Sequence, residues 1–101
     1  MSYIVIKIGG KGFKSYYFPC ASFLEKGNNL KVVALGKKVQ MAAYLSSIIQ
    51  KHGAKITDIS ISTVELPSSE STTNRPIDVV MIEIYIDKHH FKSQIQPDEV
   101  R

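Results

Sequence analysis

The chain has 101 residues and a mass of 11.3 kDa, enough for one domain with one modest core and too little for a multidomain enzyme. Hydrophobic residues make up 44% and charged residues 22%, which excludes the hydrophobe-poor, charge-rich composition of a disordered chain. The net charge of +4 is uneven: residues 1–38 hold seven lysines against Glu25, a balance of +6, and the other 63 residues hold six basic and eight acidic groups, a balance of −2.

The first element is a strand over residues 3–8, where β-branched residues alternate and place Ile4, Ile6 and Ile8 on one face. Gly9, Gly10 and Gly12 then break it into a loop rich in backbone N–H groups and lysine. From about residue 15 to 26, Tyr17, Cys20, Ala21 and Leu24 fall at helical spacing, with Gly27 as the stop and Pro19 as a kink near the start. A second strand covers residues 30–35 and ends at Gly36. Between residues 37 and 52, Met41, Ala42, Leu45, Ile48 and Ile49 form the best amphipathic stripe in the chain, closed by Gly53.

A long third strand is predicted over residues 54–67, with Ile59 and Ile61 on one phase and Val64 and Leu66 on the other. The slip near Thr63 implies either a bulge or a change in which surface is buried, as in a strand that leaves its core and continues as an arm. Residues 68–76 are polar turn sequence, and residues 77–88 form a fourth strand. Residues 89–101 lack periodicity and are expected to be a frayed, flexible tail beyond a domain spanning residues 1–88. The order β-α-β-α-β-β, with right-handed crossovers, predicts a two-layer α+β sandwich: a four-stranded mixed sheet, two helices on one face and a long terminal hairpin. The last two strands carry more apolar surface than a monomer of this size needs, at Val64, Leu66, Val79 and Met81, so a second copy is expected to cover some of it.

An uneven positive potential suits a polyanion; the plainer alternative is a solvated lysine face. Gly10-Lys11-Gly12 and Gly36-Lys37-Lys38 each fall where a strand ends and a helix begins, which brings lysine charge and free amides together as an anion site; the alternative is a pair of plain turns. No Gly-Lys-Ser/Thr ending marks either as a nucleotide P-loop. Phe13 and Lys14 follow on the first loop, and Tyr16 is the better base-stacking candidate because Tyr17 lies on the core stripe. Arg75, at the base of the hairpin, suits a minor groove or a phosphate as well as it suits a plain surface. The single Cys20 forms no internal disulfide and is read as core, and His89-His90 has no metal-ligand spacing around it. No nucleophile triad, carboxylate pair or metal motif is present, so neither an enzyme nor a cofactor is expected. With no membrane span or signal segment in view, an intracellular location, cytoplasmic or nuclear, is expected.

Over residues 3–88 the chain resembles the Alba superfamily of small chromatin and RNA-binding proteins, and in particular its short eukaryotic members. The likeness rests on Ile8-Gly9-Gly10-Lys11, on Tyr16, on Val33-Ala34-Leu35-Gly36-Lys37-Lys38, and on Asn74-Arg75-Pro76 ahead of Ile82-Glu83-Ile84. It implies a dimer that binds RNA or DNA through its body and two hairpin arms, with a homodimer or a heterodimer with another Alba-type chain both open. A second implied reading is a subunit of a ribonuclease P or MRP particle, which needs a partner chain more than naked nucleic acid. The sequence departs from the family where two adjacent lysines and a proline are usual: Gly10, Lys11 and Gly12 stand there. The family's acetylation control would therefore act on Lys11 or Lys14, or have no target. At the start of the second helix the family's basic positions map to Leu35 and Lys37, so one charge is lost, with Lys38 as the compensating lysine.

Overall fold

The computed structural model describes residues 3–66 and 77–93. Along them run β1 (Tyr3–Lys7), α1 (Phe13–Glu25), β2 (Asn29–Leu35), a 3-10 turn (Gly36–Lys38), α2 (Val39–Lys51), β3 (Lys55–Leu66) and β4 (Ile77–Asp87). The strands form one sheet in the order β1-β2-β4-β3, with β1 parallel to β2 and the other pairs antiparallel. This is the predicted mixed sheet. Its inner face carries Leu30, Val32 and Ala34 opposite Ile86, Ile84 and Ile82, all buried, and the helices close the core over them with Tyr17, Cys20, Leu24, Leu45 and Ile49. Full burial of a residue such as Leu45 contributes roughly 1.5–3 kcal/mol, so this inner face carries most of the fold's hydrophobic stabilisation.

Both helices end in the same hydrogen-bonded stop. In α2 the amide of Gly53 donates to the Gln50 carbonyl and that of Ala54 to the Ile49 carbonyl, with Gly53 at φ 108°. The end of α1 repeats this pattern with Gly27 at φ 94°. At its other end α1 begins two residues earlier than the apolar spacing predicts, because Gly12 in extended conformation precedes Phe13 and its carbonyl accepts from the Ser15 amide. The helix runs through Pro19 as one element: Pro19 and Ser15 are both exposed, so the Ser15 carbonyl that Pro19 leaves without a helical donor lies on the solvent side.

Two expectations change. The phase slip at Thr63 is not a bulge, because β3 pairs with β4 without a break from Asp58 opposite Tyr85 to Leu66 opposite Ile77; the register shift lies earlier, between Ile56 and Asp58. Instead the two apolar phases belong to opposite faces, Ile59 and Ile61 to the helix side with Ile84 and Ile82, Val64 and Leu66 to the open side with Val79 and Ile77. The second change concerns the tail, whose first residues are strapped to the body. The amide of His90 donates to the Gly53 carbonyl, that of Lys92 to the His52 carbonyl, and Phe91 packs against the core. The strap lies so close that a Cβ at Gly53 would collide with the His90 carbonyl. Residues 94–101 lie outside the described residues.

The strap also closes a small polar cluster: the Tyr17 hydroxyl lies 2.7 Å from His52 Nδ1 and 3.2 Å from Ser93 Oγ. Burial, and then the neighbouring Lys51 charge, lower the His52 pKa below its ordinary 6.5. A value lower in the folded than in the unfolded chain means that folding favours the neutral ring. The contribution is complete above the unfolded value of about 6.5 and is lost as pH falls through the folded one. Chemical denaturation is expected to show stability declining from pH 7 to pH 5, by an amount on the order of 1 kcal/mol if the Tyr17 hydrogen bond is lost with it. His52→Gln is expected to flatten that decline; an unchanged slope would place its origin elsewhere.

Candidate nucleic-acid interface

Because β1 and β2 are parallel neighbours, the loop after β1 and the 3-10 turn after β2 leave the sheet at the same end. The β3–β4 pair points the same way. Leu35, the last residue of β2, pairs with Met81, and beyond it residues 77–80 of β4 pair with β3 alone. A two-stranded arm thus extends past the body beside the two loops. Three of the segments singled out in the sequence, the glycine loop, Gly36–Lys38 and the hairpin, converge at this end. Arg75 lies outside the described residues.

The lysines divide by environment. Lys11, Lys14, Lys37 and Lys38 are exposed, and Gly12 is exposed between the first two. Among the described residues the one ion pair is Lys31 with Glu83, at 2.7 Å on the open face of the sheet, and the hydrogen bond that its ammonium donates to the Glu83 carboxylate raises the Lys31 pKa. Lys31 is therefore paired within the chain, whereas the four lysines at the end of the sheet carry unpaired charge. The turn at Gly36 takes φ 56°, a left-handed conformation that favours glycine and directs the chain from β2 into α2 with Lys37 and Lys38 outward.

Tyr16 corrects the sequence reading. It is 8% exposed, and its hydroxyl accepts hydrogen bonds from the amides of Gly9 at 2.7 Å and Lys11 at 3.1 Å. Its ring is thus unavailable for stacking; its role is to hold the loop that presents Lys11. Helical spacing could not reveal this, because the hydroxyl's partners lie on the preceding loop. Tyr16→Phe removes the acceptor from both amides and is expected to cost about 1–2 kcal/mol in thermal unfolding. It should speed hydrogen exchange at Gly9 and Lys11 while leaving the salt dependence of any nucleic-acid binding unchanged, and slow exchange in the variant would remove this role.

Phe13 is the first residue of α1 rather than a loop residue, half-buried against Tyr17 at 5.5 Å and Tyr44 at 5.2 Å between ring centroids. Tyr44 was missed in the sequence. It is 54% exposed and lines a shallow concavity of about 300 Å³ with Lys37, Gln40 and Met41. Its signal is a tyrosine off the apolar stripe of α2, on the helix that directly follows Lys37 and Lys38. Cys20 is fully buried, and burial pushes its thiol up to about 12, so it is core and not a nucleophile at neutral pH. Among the described residues no group of three or more His, Cys, Asp or Glu is placed to hold a metal, and no helix is long and apolar enough to cross a membrane.

No protein-family model and no curated protein matches the chain. Solved structures do. Alba from Thermoplasma volcanium superposes with a TM-score of 0.73 at 23% identity, covering 83% of this chain and 99% of that one. ALBA1 from Trypanosoma brucei superposes with a TM-score of 0.65 at 18% identity, covering 84% of this chain and 68% of that one. The chain therefore has the Alba fold, as the sequence resemblance implied.

Proposed function

We propose that this chain is a non-enzymatic nucleic-acid-binding protein that grips RNA or DNA by its phosphates, with weak sequence specificity, and acts as a dimer in RNA regulation or chromatin packaging. The observation that carries the reading is the convergence of Lys11, Lys14, Lys37 and Lys38, all exposed, at the end of the sheet from which the β3–β4 arm projects. Lysines without acidic partners on glycine-bearing turns contact phosphates and fix no base sequence. Phe13, Lys14 and Tyr44 border the same surface, Gly12 lets the backbone approach, and Arg75 would add an arm contact. An intracellular site of action, cytoplasmic or nuclear, goes with this reading.

The dimer is supported by β3. The helices cover the inner face across β4 and reach the edge strand at Ile56, but farther along it Ile59 and Ile61 stand 50% and 69% exposed on the helix side. Two isoleucines at that exposure on the edge strand mark an apolar patch that a second copy would bury.

A competition between single-stranded RNA, duplex RNA and duplex DNA, titrated with salt, tests the reading. Binding that weakens steeply with salt and varies little with sequence is expected. A purified chain that aggregates or fails to bind at low salt would overturn it and favour the subunit of an RNA-processing particle.

A further inference from the structure

The open face of the sheet carries a concavity of about 490 Å³ at the same end as the basic loops. Its floor is apolar: Val33 and Leu35 from β2, Leu66 from β3, and Val79 and Met81 from β4. Among the described residues the charged side chains lining it are Lys7 and Lys38, and none of the described lining residues is a carboxylate. Lys7 pairs in register with Val33, so it lies on the open face beside the floor rather than on the helix side with Ile8.

From this we propose that the concavity receives an unpaired nucleobase of the bound strand, with Lys7 and Lys38 on its flanking phosphates; the inference rests on the nucleic-acid reading above and narrows its ligand to single-stranded or locally unpaired nucleic acid. Its volume lies within the roughly 300–1,000 Å³ of small-ligand sites. An apolar floor with a cationic rim matches a ligand that is flat and apolar in one part and anionic in the next, which describes a splayed nucleotide. A base within a paired stack offers no such free face. Continuity settles the occupant. Gly9 and Gly36 belong both to this concavity and to the turns that carry Lys11 and Lys37, while Leu66 and Val79 belong to the arm, so a strand passing from loops to arm crosses the concavity. A second copy fits less well, because a twofold contact on this face would bring Lys7 and Lys38 against their own counterparts with no acid among the described lining residues.

The test uses the full chain and three probes: a uridine-rich single-stranded RNA, the same RNA annealed to its complement, and the single strand carrying 4-thiouridine. Tighter binding of the single strand is expected, together with photocrosslinks on the peptides that hold Leu66, Val79 or Met81. Val79→Asp, which sets a carboxylate at the floor, is expected to weaken the single strand by tenfold or more and the duplex by clearly less. Lys7→Gln, a change at an exposed side chain, is expected to weaken the single strand severalfold. Equal binding of single strand and duplex, or crosslinks confined to the loops and α1, would overturn the pocket while leaving phosphate binding in place. Failure of the unaltered chain to bind any of the three probes would instead overturn the nucleic-acid reading itself.

Discussion

Replacing Lys11 and Lys37 together with alanine is expected to weaken nucleic-acid binding by roughly tenfold to a hundredfold at low salt, about equally for all sequences. Both side chains are exposed, neither has an ion-pair partner, and they sit on adjacent turns at one end of the sheet. Each lysine that neutralises a phosphate releases a condensed counterion, so losing two per subunit should flatten the slope of log K against log salt by about 1.8 per bound subunit on duplex DNA and about 1.4 per bound subunit on a single strand. The slope separates contact from scaffolding: Tyr16→Phe disturbs the presentation of Lys11 without removing a charge, and its slope should stay at the parent value. Lys31→Ala is the internal control, since Glu83 already holds that ammonium. A double variant that keeps both the parent affinity and the parent slope would rule this surface out.

The element order was legible because each helix and strand carries its own periodicity and its own stop. Gly27 and Gly53 mark both helix ends in the sequence, and both take the positive φ that the stop requires. Leu45 and Ile49 lie at i and i+4 on one stripe and are fully buried, so the amphipathic reading of α2 also located the core. What was not legible depended on contacts between distant parts of the chain. Tyr16 and Tyr17 are equivalent in composition, yet one hydroxyl meets the β1–α1 loop and the other meets His52 and Ser93. The strap at residues 90–92 has no periodicity because it is held by backbone amides on the carbonyls of His52 and Gly53, bonds indifferent to the side chains that make them. The change of apolar phase in β3 was visible, but its cause required the pairing with β4, which assigns Ile61 and Val64 to opposite faces of a continuous strand.

That assignment moves the decisive dimer variant from Val64 or Met81, the positions the sequence suggested, to Ile61. Met81 lines the concavity on the open face, and Val64 shares that face opposite Val79, whereas Ile61 projects on the helix side at the uncovered edge. In a twofold dimer every substitution is made twice. Burying Ile61 contributes roughly 1.5–3 kcal/mol per copy, so Ile61→Asp is expected to remove about 3–6 kcal/mol from association, before the cost of enclosing two carboxylates. At 1.4 kcal/mol per tenfold, the dissociation constant of the dimer should rise by about 10²–10⁴. The fold should survive, because Ile61 lies outside the buried cluster and its backbone pairing with Ile82 is unaffected by the side chain. Sedimentation at micromolar concentration should therefore show a folded monomer in place of a dimer. Nucleic-acid affinity should fall with it, since two linked basic ends bind one strand with an avidity that a single end lacks. A parent chain that sediments as a monomer, or an Ile61→Asp variant that remains a dimer, would show that this edge of the sheet is not the interface.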